Sequence, residues 1–297
     1  MKKLTLATVA TASLLVSSGQ ALASDMYIDV GSNTYESAPN ILDANSTTGI
    51  FNEFGFSQLL ATSVYDFSDG SPLGAFYDTN IASELGFANV PAAGLALDGV
   101  TNVNLVSPNC AGGQCDIDAL SPLVPPLGSD SEGFLLTWDL QLEYHFDGTL
   151  TPGGPVYTGG FVDVIFNDFN NDLNDRVVLT ATLTGSDIQA ANLNLFFDIT
   201  FAEVGFLFIE QGGTFVDAAA GIPTGNYAEF ILDTNVNPPI PTLDQLLLVV
   251  DDGGNPNAIR QTTLDGSVTA QIPEPGTLAL FGLGLLGLGA TARRKFS

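Results

Sequence analysis

The alternation of apolar and polar residues from Phe134 to Asp147 constrains the fold more than any other part of the chain. In this segment, F-L-L-T-W-D-L-Q-L-E-Y-H-F-D, a large apolar residue occupies every second position from Leu136 to Phe146, and the positions between them are polar. A period of two is the side-chain period of an extended strand, whose residues face opposite sides of a sheet in turn. The pattern therefore predicts a long strand with one buried face and one solvated face.

Further strands are predicted from short runs rich in Val, Ile, Phe, Thr and Leu. These runs are residues 54–64, 156–166, 176–184, 192–201, 205–210, 228–233, 245–250 and 262–269. Turn-forming pairs such as Asp69-Gly70 and Gly153-Gly154 lie between them, and long amphipathic helical patterns are missing from the sequence. We therefore expect an all-β fold, an antiparallel β-sandwich with a jelly-roll-like arrangement.

The first 23 residues have the order of a secretory signal peptide. Lys2 and Lys3 are followed by an apolar run, residues 4–16, and then by small residues at Ala21 and Ala23. Small residues at these two positions fit the pocket of signal peptidase, and the apolar run is too short for a stable anchor. We therefore expect export by the Sec route and cleavage after Ala23.

The last 26 residues, 272–297, have three parts in a fixed order. They are a turn, a Gly/Leu-rich apolar run and a basic cluster: Pro273-Glu274-Pro275, residues 277–292, and Arg293-Arg294-Lys295. A helix of the apolar run would be about 24 Å long, which is short of the ~30 Å hydrocarbon core of a bilayer. The prolines keep the preceding turn extended, and the basic cluster would hold its end of the helix on the cytoplasmic side. The pattern predicts a short transmembrane helix with a membrane-stop cluster.

This tail resembles the PEP-CTERM sorting signal of Gram-negative bacteria, which is also catalogued as the ice-binding protein C-terminal domain. The resemblance implies that Pro273, Glu274 and Pro275 are recognised by an exosortase, a membrane transpeptidase-like processing enzyme. It also implies transient anchoring in the inner membrane, followed by delivery to the cell surface or the extracellular space. The family occurs alongside exopolysaccharide production, and some members act in floc or biofilm formation.

The chain therefore divides into residues 1–23, 24–271 and 272–297, with a looser part of the central domain expected up to about residue 130. The whole chain has 7 basic and 33 acidic residues. Five basic residues and one acidic residue lie in the two ends, which leaves 2 basic and 32 acidic residues in the central domain. Such a domain repels nucleic acid, so we expect no nucleic-acid partner. A strongly acidic body suits a solvated extracellular protein.

Two cysteines, Cys110 and Cys115, stand close together in the sequence C-A-G-G-Q-C. In an exported chain, this spacing predicts a local disulfide, because the extracellular environment is oxidising. Its short loop limits the stabilisation to about 2 kcal/mol or less. A metal site would need further Cys or His ligands, and His145 is the only histidine.

The densest group of polar residues is the segment N-D-F-N-N-D-L-N-D at residues 167–175. Its spacing resembles the D-x-N-x-D pattern by which a loop directs oxygen atoms at Ca²⁺. The candidate ligands are Asp168, Asn170, Asp172, Asn174 and Asp175. The segment is not an EF-hand, because Leu173 replaces the glycine of that turn and Leu179 replaces its final glutamate. The alternative is a polar hairpin turn, held by bonds from side chains to the backbone.

Catalytic residues are not predicted, and no cofactor is required. The sequence has no G-x-S-x-G motif, and His145 lies between Glu143 and Asp147 on the polar face of the predicted strand. Glycoside hydrolysis by two carboxylates stays open, because the fold sets their separation. Sugar binding also stays open, with Tyr157 and Tyr227 as the stacking candidates near loops.

Together these patterns lead to one functional hypothesis and two alternatives. We expect an exported, exosortase-processed protein of the surface or extracellular matrix, with a structural or adhesive role in a biofilm or floc, and with Ca²⁺ as the candidate metal. The first alternative is a module that binds an extracellular polysaccharide, and the second is a glycoside hydrolase.

Overall fold

The computed structural model describes residues 23–36, 45–81, 84–85, 87, 119–124, 132–189, 192–235, 239–251 and 253–272. The predicted signal peptide before Ala23, the predicted disulfide between Cys110 and Cys115 and the predicted sorting tail after Ile272 lie outside these ranges. None of the helical segments within the ranges combines the length and apolar character that crossing a bilayer requires.

The described residues form thirteen β-strands. They are β1 Met26–Ile28, β2 Glu53–Asp66, β3 Gly74–Thr79, β4 Ala119–Val124, β5 Trp138–Thr151, β6 Gly154–Asp168, β7 Arg176–Gln189, β8 Asn192–Ala202, β9 Leu207–Gln211, β10 Thr214–Asp217, β11 Glu229–Asn235, β12 Leu247–Val250 and β13 Pro256–Gln271. Three single-turn 3₁₀ helices lie between them: Asp172–Asn174, Ile222–Thr224 and Leu243–Gln245. All pairings between the named strands are antiparallel. The predicted all-β, antiparallel class is therefore confirmed.

Ten of the strands form one large sheet, in the order β12-β13-β11-β8-β7-β6-β5-β3-β2-β4. β13 also pairs with β2, from Asn257 opposite Asp66 to Thr269 opposite Glu53. This pairing joins two strands that are distant in the order, so the sheet curls into a barrel-like shape. The inward faces of its strands form most of the hydrophobic core.

The remaining strands form a small sheet in the order β1-β9-β10. Its inward side chains, among them Met26, Ile28, Leu207 and Ile209, are fully buried and belong to the same core as the large sheet. The small sheet thus packs against the inward face of the large sheet and shares its core.

The jelly-roll-like sandwich expected from the sequence is replaced by this single curled sheet with its small cover. The strand register shifts between Asp147 and Gly148 in β5, between Val164 and Ile165 in β6, and at two places in β7. Register shifts of this kind bend strands and increase their twist, and a strongly twisted sheet can curl on itself. Hydrophobic periodicity shows which face of a strand is buried, but not which strand it pairs with.

The predicted alternation in β5 is confirmed from its first residue. Trp138, Leu140, Leu142, Tyr144 and Phe146 are all buried. Two positions outside that set differ from the prediction. Leu136 is 53% exposed because it lies in a turn before the strand, where its N–H donates to the carbonyl oxygen of Gly133. Asp139 was expected on the solvated face, yet it is buried and its Oδ1 accepts a hydrogen bond from Nδ2 of Asn167.

Candidate functional site

The inward faces of the curled sheet surround a cavity of about 80 Å³. Its wall consists mainly of apolar side chains from seven strands of the large sheet, including Ala61, Leu140, Val164, Ala181, Phe197, Phe230 and Val268. The small sheet contributes Ile28 and Leu207 at one end. The cavity therefore lies within the barrel-like curl, between the two sheets.

One acidic side chain, Asp78 on β3, faces this cavity. Asp78 stands opposite Ser63 on β2 and Phe146 on β5, and directly opposed residues share one face of a sheet. Only 7% of Asp78 is exposed. The phenol hydroxyl of Tyr157 on β6 donates a hydrogen bond to Oδ2 of Asp78. The other carboxylate oxygen, Oδ1, is buried and has no hydrogen-bond partner among the described residues.

Burial raises the pKa of Asp78 to about 6, because a poorly solvated site disfavours the ionised carboxylate. The nearby hydroxyl groups of Ser63 and Tyr157 and the positive charge of Arg260 oppose that shift. Arg260, on β13, is itself buried and stands opposite Ser63. Asp78 is therefore mostly ionised at pH 7, but it takes up a proton at a higher pH than an exposed carboxyl group would.

Three tyrosines with buried side chains lie close to Asp78. Burial, followed by the negative charge of Asp78, raises the pKa of Tyr65 to about 12. The same two causes raise the pKa of Tyr144 and of Tyr157. All three phenols therefore keep their protons at physiological pH. Tyr157, which the sequence offered as a sugar-stacking residue near a loop, lies inside the fold instead.

His145 lies on the opposite face of β5, where it contacts two carboxylates. Its Nδ1 is 2.6 Å from Oε2 of Glu84, and its Nε2 is 3.3 Å from Oδ1 of Asp147. Burial disfavours the charged imidazolium, but these carboxylates outweigh that effect and raise the pKa of His145. The ring also stacks on Tyr77 at 5.3 Å between centroids. These contacts link β5 to Glu84, in the segment that follows β3. No nucleophilic side chain takes part in them.

The predicted Ca²⁺ loop is the hairpin between β6 and β7. Oδ1 of Asp168 accepts a hydrogen bond of 2.9 Å from the backbone N–H of Asn170. Oδ2 of Asp168 accepts bonds of 2.7 Å from Nδ2 of Asn174 and 3.1 Å from the hydroxyl of Tyr35. Oδ1 of Asp175 accepts a bond of 2.8 Å from the backbone N–H of Asp168. These bonds involve four of the five candidate residues, Asn170 through its backbone alone. The carboxylate oxygens in them accept hydrogen bonds from groups of the protein.

The fifth candidate ligand, Asp172, begins the 3₁₀ helix of the same hairpin. Burial opposes ionisation of Asp168, but its hydrogen bonds, that of Asn174 first, lower the pKa of Asp168 overall. No group of three or more His, Cys, Asp or Glu side chains in the described part of the chain is arranged to hold a metal ion. The local hydrogen bonds match the alternative of a polar hairpin turn. Ca²⁺ binding at this loop stays a prediction.

The outer face of the small sheet carries three aromatic side chains that the sequence did not single out. The ring of Tyr27 stacks on Phe208 at 4.7 Å between centroids and meets the edge of Phe215 at 5.0 Å. All three side chains are half-buried. We call Tyr27, Phe208 and Phe215 the aromatic platform. Tyr227, the other stacking candidate from the sequence, is also half-buried but takes no part in this group.

Asp78 is the functional candidate that sequence reasoning missed. A signal for it exists in the segment G-A-F-Y-D-T of β3, where Asp78 follows the buried Phe76 by two positions. The period of two therefore places the carboxylate on the core face. The segment is only six residues long and contains glycine and aspartate, which are depleted in strands. For that reason it did not stand out as a strand.

Comparison with family models identifies the PEP-CTERM protein-sorting motif at residues 271–295. The resemblance seen in the sequence is thereby confirmed. The motif implies export and processing by an exosortase-like enzyme, with a membrane-associated C-terminal sorting signal. No curated protein and no solved structure matches the chain.

Proposed function

We propose that the mature protein is a structural or adhesive component of the bacterial surface or extracellular matrix, delivered there by exosortase processing. In this proposal the curled sheet is a stable body that presents carboxylates to the matrix, and divalent cations such as Ca²⁺ link neighbouring molecules. No catalytic step is part of it. The sorting motif at residues 271–295 supports the delivery, and the outer face of the sheet supports the role.

The observation that carries the role is a pair of like charges on the outside of the sheet. Asp198 on β8 stands directly opposite Glu229 on β11. Their neighbours Phe197 and Phe230 point into the core, so these two carboxylates point outward, and both side chains are half-buried. Like charges that face each other across a strand pair repel. A bound cation would relieve that repulsion.

Within the part of the chain that the structure describes, an uncharged side chain contacts this pair, since Nε2 of Gln271 donates to Oε2 of Glu229 at 2.7 Å. The central domain has no lysine, and its two arginines are occupied elsewhere. Arg176 pairs with Glu203 at 2.7 Å, and Arg260 is buried in the interior. Neutralisation of the outer face must therefore come from ions or cationic partners in solution. This supports cation-linked association.

The test combines cells with purified protein. Cells without the gene should lose cell–cell aggregation, and the full chain should restore it unless a chelator is present. Processed protein should associate on addition of Ca²⁺, measured by light scattering at constant ionic strength. Asp198→Asn combined with Glu229→Gln should weaken the association, whereas Asp233→Asn, on the same outer face, serves as the control. Unchanged aggregation after gene loss would contradict the proposal.

A second candidate function is binding of an extracellular polysaccharide, and the aromatic platform favours it. Sugar rings stack on aromatic rings, and Tyr27 and its two partners form a half-buried group of three rings on one side of the small sheet. Asp29 and Asp217 lie close enough to Tyr27 to raise its pKa, after the larger effect of burial. Carboxylates beside an aromatic face can accept hydrogen bonds from sugar hydroxyls.

This candidate is tested by affinity electrophoresis in gels that contain the polysaccharide of the producing cells. Tyr27→Ala and Phe208→Ala should each weaken the binding about two- to tenfold, since an aromatic contact contributes about 0.5–1.5 kcal/mol. Phe201→Ala removes an exposed aromatic side chain from β8 and is the matched control. Equal retardation of all variants would exclude the platform as the binding surface.

A further inference from the structure

Exposed apolar side chains gather at one end of the curled sheet, the end at which β5 and β7 begin and β6 and β8 finish. Seven of the thirteen large apolar side chains that are exposed within the described residues lie there, so this end is more apolar than the rest of the surface. We call these seven the apolar end: Leu135, Leu136, Phe169, Leu173, Val177, Phe201 and Val204.

Backbone pairing brings the segments of the apolar end side by side. The N–H of Phe169 donates to the carbonyl oxygen of Thr137 at 2.9 Å, which joins the end of β6 to the turn before β5. The N–H of Glu203 donates to the carbonyl oxygen of Val178 at 2.8 Å, which joins the end of β8 to the start of β7. Since β6 and β7 are joined by the hairpin that carries Leu173, the exposed side chains follow one continuous edge.

Two of these side chains are exposed almost completely. Leu173 is 92% exposed in the 3₁₀ helix of the β6–β7 hairpin, and Val204 is 83% exposed in the loop between β8 and β9. Contiguous exposed apolar groups mark a contact with another protein or with a membrane. Projecting side chains on two loops enclose no groove for a peptide or a helix. They fit a surface that yields around them, as a lipid bilayer does.

The chain leaves the sheet at this same end. β13 and β8 both pair antiparallel with β11, so β13 and β8 run in the same direction. Gln271, the last residue of β13, stands in one row with Glu229 and Asp198. From Asp198, β8 continues to Ala202 at the apolar end. The chain beyond Gln271 therefore heads toward the apolar end.

The other side of the curl leads to the same result. Val268 on β13 stands opposite Phe54 on β2, and Phe54 stands opposite Pro122 on β4. β4 pairs with β5 through Leu120 and Leu140, close to the first residue of β5. The end of β13 thus lies near the start of β5, where the apolar end begins.

The connection from the sheet to the sorting tail is short. Residues 272–276 separate β13 from the apolar run that starts at residue 277. Five extended residues span at most ~18 Å, and the strand from Asp198 to Ala202 already takes up ~13 Å in that direction. The tail's apolar run therefore begins close to the level of the apolar end. A membrane-associated sorting signal at 271–295 holds this end of the domain at the bilayer.

We propose that the apolar end contacts the surface of the lipid bilayer in which the sorting tail is anchored. Leu173 and Val204 enter the boundary between headgroups and acyl chains, which removes their apolar surface from water. Asp172 and Glu203 bring carboxylates to the same level. The bilayer is therefore one of zwitterionic phosphatidylethanolamine, whose ammonium groups can donate to carboxylates, and not an anionic one. The domain then stands on the membrane in one orientation.

The test uses the unprocessed chain, recovered from cells without the processing enzyme and placed in nanodiscs of phosphatidylethanolamine and phosphatidylcholine. A water-soluble paramagnetic complex broadens the NMR signals of methyl groups that water reaches. The methyl signals of Leu173 and Val204 should lose most of this broadening in the nanodiscs, compared with processed protein in solution. Lipid that carries a nitroxide in its acyl chain should broaden the same two signals.

Exposed apolar residues at the other end of the sheet serve as the internal control. Leu248 is 62% exposed and stands opposite Ala258 near the start of β13, and Val156 is 43% exposed near the start of β6. Their methyl signals should be broadened by the water-soluble complex equally in nanodiscs and in solution. They should not respond to the labelled lipid.

A pair of double variants measures what the contact contributes. Leu173→Ser combined with Val204→Ser should transfer from donor to acceptor vesicles of the same lipids about tenfold more readily than the parent, since burial of one such side chain changes an equilibrium by at least that factor. Leu248→Ser combined with Val156→Ser removes the same two types of side chain and should transfer like the parent. Thermal unfolding confirms that both variants fold.

The outcomes decide the proposal. Protection from the water-soluble complex, broadening by labelled lipid and faster transfer of the Leu173 and Val204 variant support it. Leu173 and Val204 signals that stay as accessible in nanodiscs as in solution overturn it. Protection without broadening by labelled lipid also overturns it, because the apolar end would then be covered by protein, either the tail's own apolar run or a second copy. Equal transfer of the two double variants contradicts a stabilising contact. None of these results depends on Ca²⁺, adhesion or polysaccharide binding.

Discussion

Tyr157 donates its phenol hydroxyl to Oδ2 of Asp78, and this hydrogen bond joins β6 to β3 across the interior of the curled sheet. The two strands are not neighbours in the sheet, since β5 lies between them. The bond therefore links positions 79 residues apart in the chain through side chains alone. The bond also partly stabilises the negative charge of Asp78, whose neighbours are mostly apolar side chains.

The first prediction concerns the pH dependence of stability that Asp78 causes. Its pKa is about 6 in the fold against 3.8 in an unfolded chain, so the folded state binds the proton more tightly. The proton on Asp78 stabilises the fold fully when the pH is below the pKa of the unfolded chain. This stabilisation is lost as the pH rises from about 4 to 6. Asp78→Asn should remove this loss. At pH 8 its free energy of unfolding should exceed that of the parent by up to ~3 kcal/mol, so it should unfold at a higher urea concentration.

Urea unfolding of the parent and of Asp78→Asn at pH 4 and pH 8 checks this prediction. The groups that act on the pKa of Asp78 from within the fold are Ser63, Tyr157 and Arg260, and the charge of Asp78 in turn raises the pKa of Tyr65 and of Tyr144. His145, on the other face of β5, acts on Asp78 only through its charge. Burial lowers the pKa of His145, but the carboxylates of Glu84 and Asp147 outweigh that effect and raise this pKa overall. Asp233→Asn is the control for net charge, and a parallel pH profile of Asp78→Asn and the parent would refute the prediction.

The second prediction is a loss of stability in Tyr157→Phe that grows with pH. The variant leaves Oδ2 of Asp78 without its donor, which costs ~1–3 kcal/mol when the acceptor is charged. The loss should be smaller at pH 4, where Asp78 carries a proton. Tyr77→Phe removes a longer hydroxyl contact, 3.3 Å to the carbonyl oxygen of Glu84, and should have a small effect at both values. Equal losses at both pH values would contradict the proposed cause.

The third prediction uses two adjacent glycines in β6. Gly160 has φ +135°, and a side-chain carbon there would collide with the carbonyl oxygen of His145 in β5. Gly160→Ala should therefore destabilise the fold by ~3 kcal/mol or more, because both the backbone and the contact are strained. Gly159→Ala meets nothing within 4 Å and should be nearly neutral. Thermal unfolding of the two variants measures the difference, and equal melting temperatures would refute it.

The fourth prediction concerns the hairpin from Asp168 to Asp175. Hydrogen bonds lower the pKa of Asp168 in the fold, so its ionised carboxylate stabilises the folded state. This stabilisation is present when the pH is above the pKa of the unfolded chain, and it is lost as the pH falls through the pKa of the folded state. Asp168→Asn should be destabilised by ~1–3 kcal/mol at pH 7 and should approach the parent below pH 4. Calorimetric titration of both proteins with Ca²⁺ then tests the predicted metal site. Heat that saturates in the parent alone would support Ca²⁺ ligation by this hairpin.

The sequence predicts the strands of this protein better than their partners. The alternation in β5 correctly assigns Trp138 and Phe146 to the core, because burial follows the period of the strand. It misassigns Leu136, because that residue lies in the turn that follows Gly133 and the strand begins only at Trp138. The curl depends on pairing between β2 and β13, and no local pattern encodes a contact over such a distance.

The interior site was harder to predict than the tail. The sorting motif is contiguous, so its order of turn, apolar run and basic cluster is readable directly. Asp78, Tyr157 and Arg260 come from three separate strands and meet only because the sheet curls. In the Asp168 hairpin, the spacing of Asp and Asn residues predicted candidate Ca²⁺ ligands. It did not predict that backbone N–H groups and Asn174 would bond to them.

The pairing of β13 with β2 has a consequence for how the chain matures. Gln261 on β13 bonds to Thr62 on β2, a residue 199 positions earlier. The sheet can complete itself only when its final strand arrives, and that strand directly precedes the sorting motif. Until then β2 and β11 each present an open edge to which other chains could add. Arrival of the last residues of the domain therefore covers these two edges at once.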